Sequence, residues 1–404
     1  MTQAVQANAA IRAAFLKVQA DKSHAIHTIP IHDGDKLSQK EVDTLFADQT
    51  PFLLTNVSEA TKVLLGKKIG GNTKGKADYL IVKPIVLADK RVKYHTIESA
   101  NQLPVKASEA NAMQGQEMNI KPQEVNALPL SNEVVLNAFA STSVRVWETV
   151  ADDTELPAGE PLPWSHTYSY AFSPSASPGD NWTPPTDGTL YGDVTYEFQI
   201  LINQSQESSF QYIVGTVTGV WNADMLNNTD KEKGWGTAYY DTILNQPEGF
   251  FDYSSSPENT NNSSEVSTSV GLEVGYQSAS FNYSKSTTET LTDWAVVQNS
   301  ANNWTYYMAT PYDGRTTSYP KDASHGSEGK LYDWPDLTTA TNEWQTISTW
   351  KNNTLVIGTV DIDATFHVKA NYMRSNSLEY AWWWACGHSW SPSFQINLTN
   401  DSVS

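Results

Sequence analysis

The chain has 404 residues, a formal net charge of −19 from 26 basic and 45 acidic side chains, and a single cysteine, Cys386. The length supplies two or three domains and ample buried core, while one cysteine excludes an intramolecular disulfide framework and any paired-cysteine zinc or redox site. The acidic balance excludes nucleic acid as the main partner, and no apolar run approaches the roughly 18 residues of a membrane-spanning helix.

The charge is unevenly shared. Residues 1–105 hold 14 basic and 10 acidic side chains, a net +4; the rest holds 12 and 35, a net −23, and all 14 tryptophans from Trp147 onward. Two compositions of opposite sign predict two modules that attract each other. The first twenty residues carry Arg12 and Lys17 but neither an apolar core nor a cleavage site, so no secretory leader is read there. Residues 4–19 instead place Ile11, Phe15 and Leu16 on one face of an Ala-rich helix. Ser38 and Glu41 form a capping box for a helix running to about Ala47. Pro51–Asn56 and Tyr79–Leu87 read as strands, with a helix near Ser58–Leu65 between them. Gly70 and Gly71 sit among Lys67, Lys68, Lys74 and Lys76 without the spacing of a phosphate-binding loop. The first module, 1–105, is thus a small basic α+β domain. Residues 106–135, rich in Gln, Asn, Glu and Ala, read as a linker offering Lys106 and Lys121 to a trypsin-like protease.

From residue 136 to 404 the composition turns to Ser, Thr, Asn, Trp and Tyr in short alternating runs such as Thr195–Ile202, Gln211–Val220 and Thr354–Lys369. Helical periodicity is nearly absent there, so the expectation is mainly β: an antiparallel β-sandwich. The informative segment is 265–294. Its first arm alternates Val266, Thr268, Val270, Leu272, Val274 and Tyr276 against Ser267, Ser269, Gly271, Glu273 and Gly275. Its second arm alternates Ala279, Phe281, Tyr283 and Lys285 against small polar residues that include Asn282. A two-residue turn at Gln277-Ser278 sets Tyr276 opposite Ala279, Val274 opposite Phe281 and Leu272 opposite Tyr283, so one face is apolar and the other hydroxylic. Such a hairpin suits a barrel stave with lipid outside and water inside; on pattern alone, a hairpin packed on a sandwich is the commoner fate of such alternation. Lys285 and Glu289 interrupt the apolar face and call for an interfacial position in the first case.

The order of features from about residue 190 resembles the leukocidin/hemolysin family of β-barrel pore-forming toxins. The residues that carry the resemblance are TYEFQILINQSQESSFQYIVGTVTGVW, GWGTAYYDTILNQPEGFFDYSSSPENTN, the hairpin, TDWAVVQNSANNWTYYMATPYDGR, TLVIGTVDIDATFHVKANY and the closing SPSFQINLTN. The resemblance implies a secreted monomer with a folded-back pre-stem hairpin and an aromatic rim. Such a protein binds a target cell membrane, oligomerises with itself and inserts one hairpin per protomer into a shared barrel. It further implies that residues 1–105 act as a removable pro-domain, and that Glu273, Gln277 and Asn282 line the lumen. PYDGR resembles the family's rim near its choline head-group pocket, so Arg315 would meet a lipid phosphate and Trp304 a choline.

Other aromatics in that stretch, among them Tyr306, Tyr312, Tyr319, Tyr332, Trp334 and Trp344, would complete a membrane-contacting rim, fill a sandwich core or bind a surface glycan. Catalytic patterns are poor. Asp361 and Asp363 share a strand face, as two acids on a wet surface also would. His24, His27, His32, Asp33 and Asp35 match no metal signature, and His388 lacks a spaced nucleophile partner. The expectation is therefore no enzyme, no cofactor and no metal: a cytolytic pore-former, with a β-sandwich glycan-binding or adhesin protein as the alternative.

Overall fold

A computed structural model describes residues 3–18, 25–99, 130–151, 161–173, 190–204, 209–222, 233–258, 265–276, 279–290, 294–308, 341–375 and 381–398. The helices among them are α1 (Gln3–Val18), α2 (Gln39–Ala47), α3 (Glu59–Ile69) and α4 (Asn132–Ala151). The strands are β1 (Ile31–Asp33), β2 (Phe52–Val57), β3 (Gly71–Thr73), β4 (Ala77–Val86), β5 (Val92–Ser99), β6 (Trp164–Phe172), β7 (Leu190–Gln204), β8 (Ser209–Asn222) and β9 (Lys233–Leu244). They continue with β10 (Phe251–Ser256), β11 (Glu265–Tyr276), β12 (Ala279–Thr290), β13 (Trp294–Ser300), β14 (Asn303–Met308), β15 (Thr341–Asn352), β16 (Thr359–Ser375), β17 (Ala381–Trp390) and β18 (Ser393–Asn397).

The fold is mainly β, two sheets face to face. The first runs β1-β2-β4-β5-β6-β7-β8-β15-β10; the second runs β13-β14-β9-β16-β18-β3, with β17 also on β16. Between them lies an aromatic core. Trp221, Trp304, Trp344, Trp350, Tyr196, Tyr240 and Tyr306 are fully buried, and Tyr240 stacks on Tyr306 and Trp344 at 5.1 and 5.4 Å between ring centres. Gly219 is required there because a Cβ would overlap the Trp344 indole. The strand expected over Thr354–Lys369 starts only at Thr359, because Gly358 takes a φ of 111° that ends the extended run.

The N-terminal elements form as the local signals predict. Ser38 and Glu41 make the capping box of α2, and Ser58 caps α3, which ends on Gly70 at φ 93°. The N-terminal strands bury both faces, as a sheet covered twice must. Leu53, Ile81 and Ile97 pack with Ile11 and Phe15 of α1 and Phe139 of α4, while Leu54, Phe52 and Val82 pack with Val42 of α2 and Leu65 of α3.

Two expectations change. Residues 132–135, read as the end of a linker, open α4, and the helix continues through residues read as β. Leu136, Phe139, Ala140, Ser143 and Val146 recur at helical spacing and are buried. The Ser/Thr/Val content masked that period, and packing on α1 overrides the weak propensity. The rest of the proposed linker, 106–129, lies outside the described residues. Nor is 1–105 set apart from the sandwich. β5 pairs in parallel with β6 from His95↔Ser165 to Ser99↔Ser169, and β3 pairs with β18 in the other sheet.

The opposite net charges of the two modules appear as cross-boundary ion pairs, Lys93–Glu197 at 3.0 Å and Lys74–Asp361 at 2.7 Å. The second is solvent-exposed and contributes little. A protease site engineered between residues 106 and 129 should therefore leave two fragments that co-elute on gel filtration after cleavage and part only in denaturant.

A buried pair locks α3 to the sheet. Lys62 Nζ donates to Glu98 Oε1 at 2.6 Å, and Thr73 Oγ1 donates to Glu98 Oε2 at 2.7 Å, with both charged side chains nearly inaccessible. Burial raises the Glu98 pKa against the opposing pull of Lys62. Leaving one buried charge without its partner is expensive. Lys62→Met should cost about 3–5 kcal/mol in urea denaturation, and Lys62→Met/Glu98→Gln should recover most of it.

Candidate functional site: a hairpin folded back on the sheet

β11 and β12 form one continuous antiparallel ladder from Glu265↔Thr290 to Tyr276↔Ala279. Leu272 opposes Tyr283, Val274 opposes Phe281 and Val266 opposes Glu289, the register that the alternation predicts. Among the described side chains the two faces separate cleanly. Thr268, Val270 and Leu272 are buried, Lys285 and Thr287 are half-buried, and Ser267, Ser269, Gly271, Ser284, Ser286 and Thr288 are exposed. The hydroxyls of Ser267 and Thr288 meet at 3.1 Å on the exposed face.

The apolar face lies on the outside of the first sheet. Val270 and Leu272 join Leu201 of β7, Tyr212 and Val214 of β8 and Ile347 of β15 in a cluster separate from the main core. Thr268 Oγ1 donates to the Gln345 carbonyl at 3.1 Å, and the Ser269 N–H donates to Ser256 Oγ at 3.0 Å. Among the described residues, backbone pairing between hairpin and sheet is one bridge, Tyr276 with Gln204. β7 and β8, by contrast, share fourteen consecutive rows. Among the described residues the hairpin thus keeps its own ladder and meets the sheet mainly through side chains.

Charge adds one contact. Lys285 Nζ donates to Glu197 Oε1 at 2.9 Å, and Lys93 Nζ donates to Glu197 Oε2 at 3.0 Å. Burial alone would raise the Glu197 pKa, but Lys285 and Lys93 more than offset it and hold the carboxyl far below the usual carboxylate range. Beside it His95 bonds Thr167 Oγ1 and Ser165 Oγ, each at 2.9 Å. Burial and then the Lys93 charge bring its pKa down to about 3, so the imidazole is neutral. Sequence reading missed this node: Glu197 and Lys93 lie 104 residues apart, and only the position of Lys285 on an apolar face hinted at it.

The structure corrects the rim reading of Trp304. It is fully buried in β14, with its indole N–H donating to the Pro257 carbonyl at 2.8 Å. Tyr306 and Trp344 are likewise core residues, because their strands turn these positions toward the opposite sheet. Tyr312, Arg315, Tyr319, Tyr332 and Trp334 lie outside the described residues, as does Gln277. Glu273 and Asn282 are cross-strand partners in the hairpin register. Thr341, which follows the expected rim in sequence, pairs with Asn222 at the end of β8, and Asn222 pairs with Tyr191 near the start of β7. Asp361 and Asp363 are exposed on β16, and Asp361 is paired with Lys74.

No protein-family model matches the chain, and no curated protein matches it. Among solved structures, a chain described as "Pore forming protein" is similar at 12% identity, over 61% of this chain and 96% of its own length, with a TM-score of 0.36.

Because Leu272 is buried in the cluster between hairpin and sheet, Leu272→Ala should weaken docking of the hairpin by about 2–4 kcal/mol. The expected readout is faster proteolytic cleavage within 265–290, with the thermal midpoint of the sandwich little changed.

Proposed function

We propose that this protein forms pores in the manner of the leukocidin/hemolysin toxins, by releasing β11–β12 from the sheet and inserting it with the hairpins of neighbouring copies into a shared barrel. One observation carries the reading: a hairpin with its own continuous ladder lies on the sandwich through Val270 and Leu272 of its apolar face, with one backbone bridge to the sheet among the described residues. A two-stranded ribbon is marginal in water by itself. In lipid its outer backbone groups need partners, which a closed ring of hairpins supplies.

Each arm has twelve residues and spans about 40 Å at roughly 3.3 Å per residue, enough for a tilted crossing. In that barrel the Val266, Val270, Leu272, Val274, Tyr276, Ala279, Phe281 and Tyr283 set faces lipid. The hydroxylic set with Glu273, Gln277 and Asn282 faces water, and a ring of Glu273 carboxylates favours cations. Export from the producing cell and docking of the 309–340 segment, with Tyr312, Arg315, Tyr332 and Trp334, on lipid head groups belong to the same proposal. The chain supplies no catalytic step in this reading.

The test is a reversible clamp. In a Cys386→Ser background, Thr268→Cys and Gln345→Cys place thiols where side chain and carbonyl already touch. Dye release from phosphatidylcholine and sterol-containing liposomes should be abolished by the oxidised clamp and restored by reductant. Absence of release from every membrane, with binding on a glycan array retained, would replace this reading with that of a glycan-binding adhesin.

A further inference from the structure

We infer that Glu197 is the latch of the hairpin, and that the N-terminal region sets its strength through Lys93. The regulatory meaning rests on the pore-forming reading; the latch itself concerns only the folded protein.

The starting point is an anomaly in the hairpin. Lys285 opposes Val270, a residue 7% exposed on the docked face, so a lysine interrupts the apolar stripe. A lysine on the lipid side of a barrel is destabilising, most at the bilayer midplane and less toward the interface, so for insertion alone the residue is a handicap. In the folded-back state it has a use: it reaches Glu197 Oε1 at 2.9 Å, at the margin of the apolar cluster that receives Val270 and Leu272.

Glu197 does not move with the hairpin. It sits in the middle of β7, paired with Ser165 on one side and Thr216 on the other. Its second oxygen is held by Lys93, whose side chain is 3% exposed and which belongs to β5 of the N-terminal region. The carboxylate is therefore divided between a partner that can leave and one that cannot.

This division fixes the sign of the coupling. When the hairpin lifts, Glu197 loses Lys285 but keeps Lys93, and the remaining pair spares the sheet an uncompensated buried charge. Lys93 thus lowers the cost of opening, and without it Lys285 would be the main counter-charge and the hairpin would be held harder. The N-terminal region acts as a standing counter-ion that keeps the latch weak enough to release.

The experiment reads the labelling rate of Thr268→Cys in the Cys386→Ser background of the full chain, in the absence of membranes. Thr268 is 2% exposed, so a maleimide reaches the thiol only when the hairpin lifts. Lys285→Gln, at a side chain 30% exposed, should accelerate labelling about tenfold, and Lys93→Met should slow it about tenfold. Urea denaturation of each variant shows whether the sandwich is intact. If Lys93→Met fails to fold, Lys93→Gln replaces it, with the same expected direction.

Labelling of Lys285→Gln within twofold of the parent would overturn the latch. Faster labelling in an intact Lys93 variant would overturn the coupling. Dye release is assayed separately. If labelling follows the predicted order and no membrane leaks, the latch stands and the pore reading fails; if membranes leak and labelling ignores both lysines, the reverse holds.

Discussion

β7 is buried on both of its faces, and the rest of the molecule is arranged around covering it twice. Its inward residues Leu190, Val194, Tyr196, Phe198 and Ile200 meet the second sheet, while Asp193, Gln199 and Leu201 on the outward side are equally inaccessible. A sandwich supplies only the first cover. The second comes from two unlike pieces: α4 with its Arg145 ion-paired to Asp193 at one end, and the β11–β12 hairpin over Leu201 at the other. Between them stands Glu197, at the boundary of a helical cover and a β cover.

The two covers differ in how they are attached. α4 packs Phe139 into a cluster shared with α1 and three N-terminal strands, and those strands continue the sheet through β5 and β6. Removing that cover means breaking a strand ladder and opening a core. The hairpin, by contrast, has its ladder internal and among the described residues meets the sheet through a satellite cluster and side-chain hydrogen bonds. In the pore-forming proposal this is the element that moves while its neighbour holds. The ladder through β5 and β6 also makes the N-terminal region part of the architecture that presents the hairpin, which sits awkwardly with a simple detachable plug.

What the sequence made legible follows from the range of each interaction. The hairpin register was readable because period-2 alternation and a two-residue turn are local, and α2 because Ser38 and Glu41 cap it within one turn. α4 was obscured because Ser, Thr and Val carry weak helix preference, so its period had to be recognised from Leu136, Phe139 and Val146 against residues far away in the chain. Trp304 was misassigned because an aromatic on an alternating strand reads the same facing a core or facing a membrane; only the pairing of β14 with β9 and its place over Trp344 decide. The Lys93–Glu197–Lys285 node was out of reach for a similar reason. No spacing rule links three residues on β5, β7 and β12.

The misplaced charge is where these threads meet. Judged as a stave, a hairpin whose apolar face carries Lys285 is imperfect, and judged as a sandwich element it has one backbone bridge to the sheet among the described residues. Under the pore-forming proposal, which gives the segment two resting places, each feature has a use. The lysine strengthens the docked state, in which Glu197 awaits it in a partly buried setting where an ion pair is screened less than at the open surface. In the pore-forming proposal, the single backbone bridge among the described residues is the main-chain pairing that the hairpin gives up on leaving. In that proposal, the coexistence of the two features in one hairpin suits a bistable element that rests on the sheet in water and in a barrel in lipid.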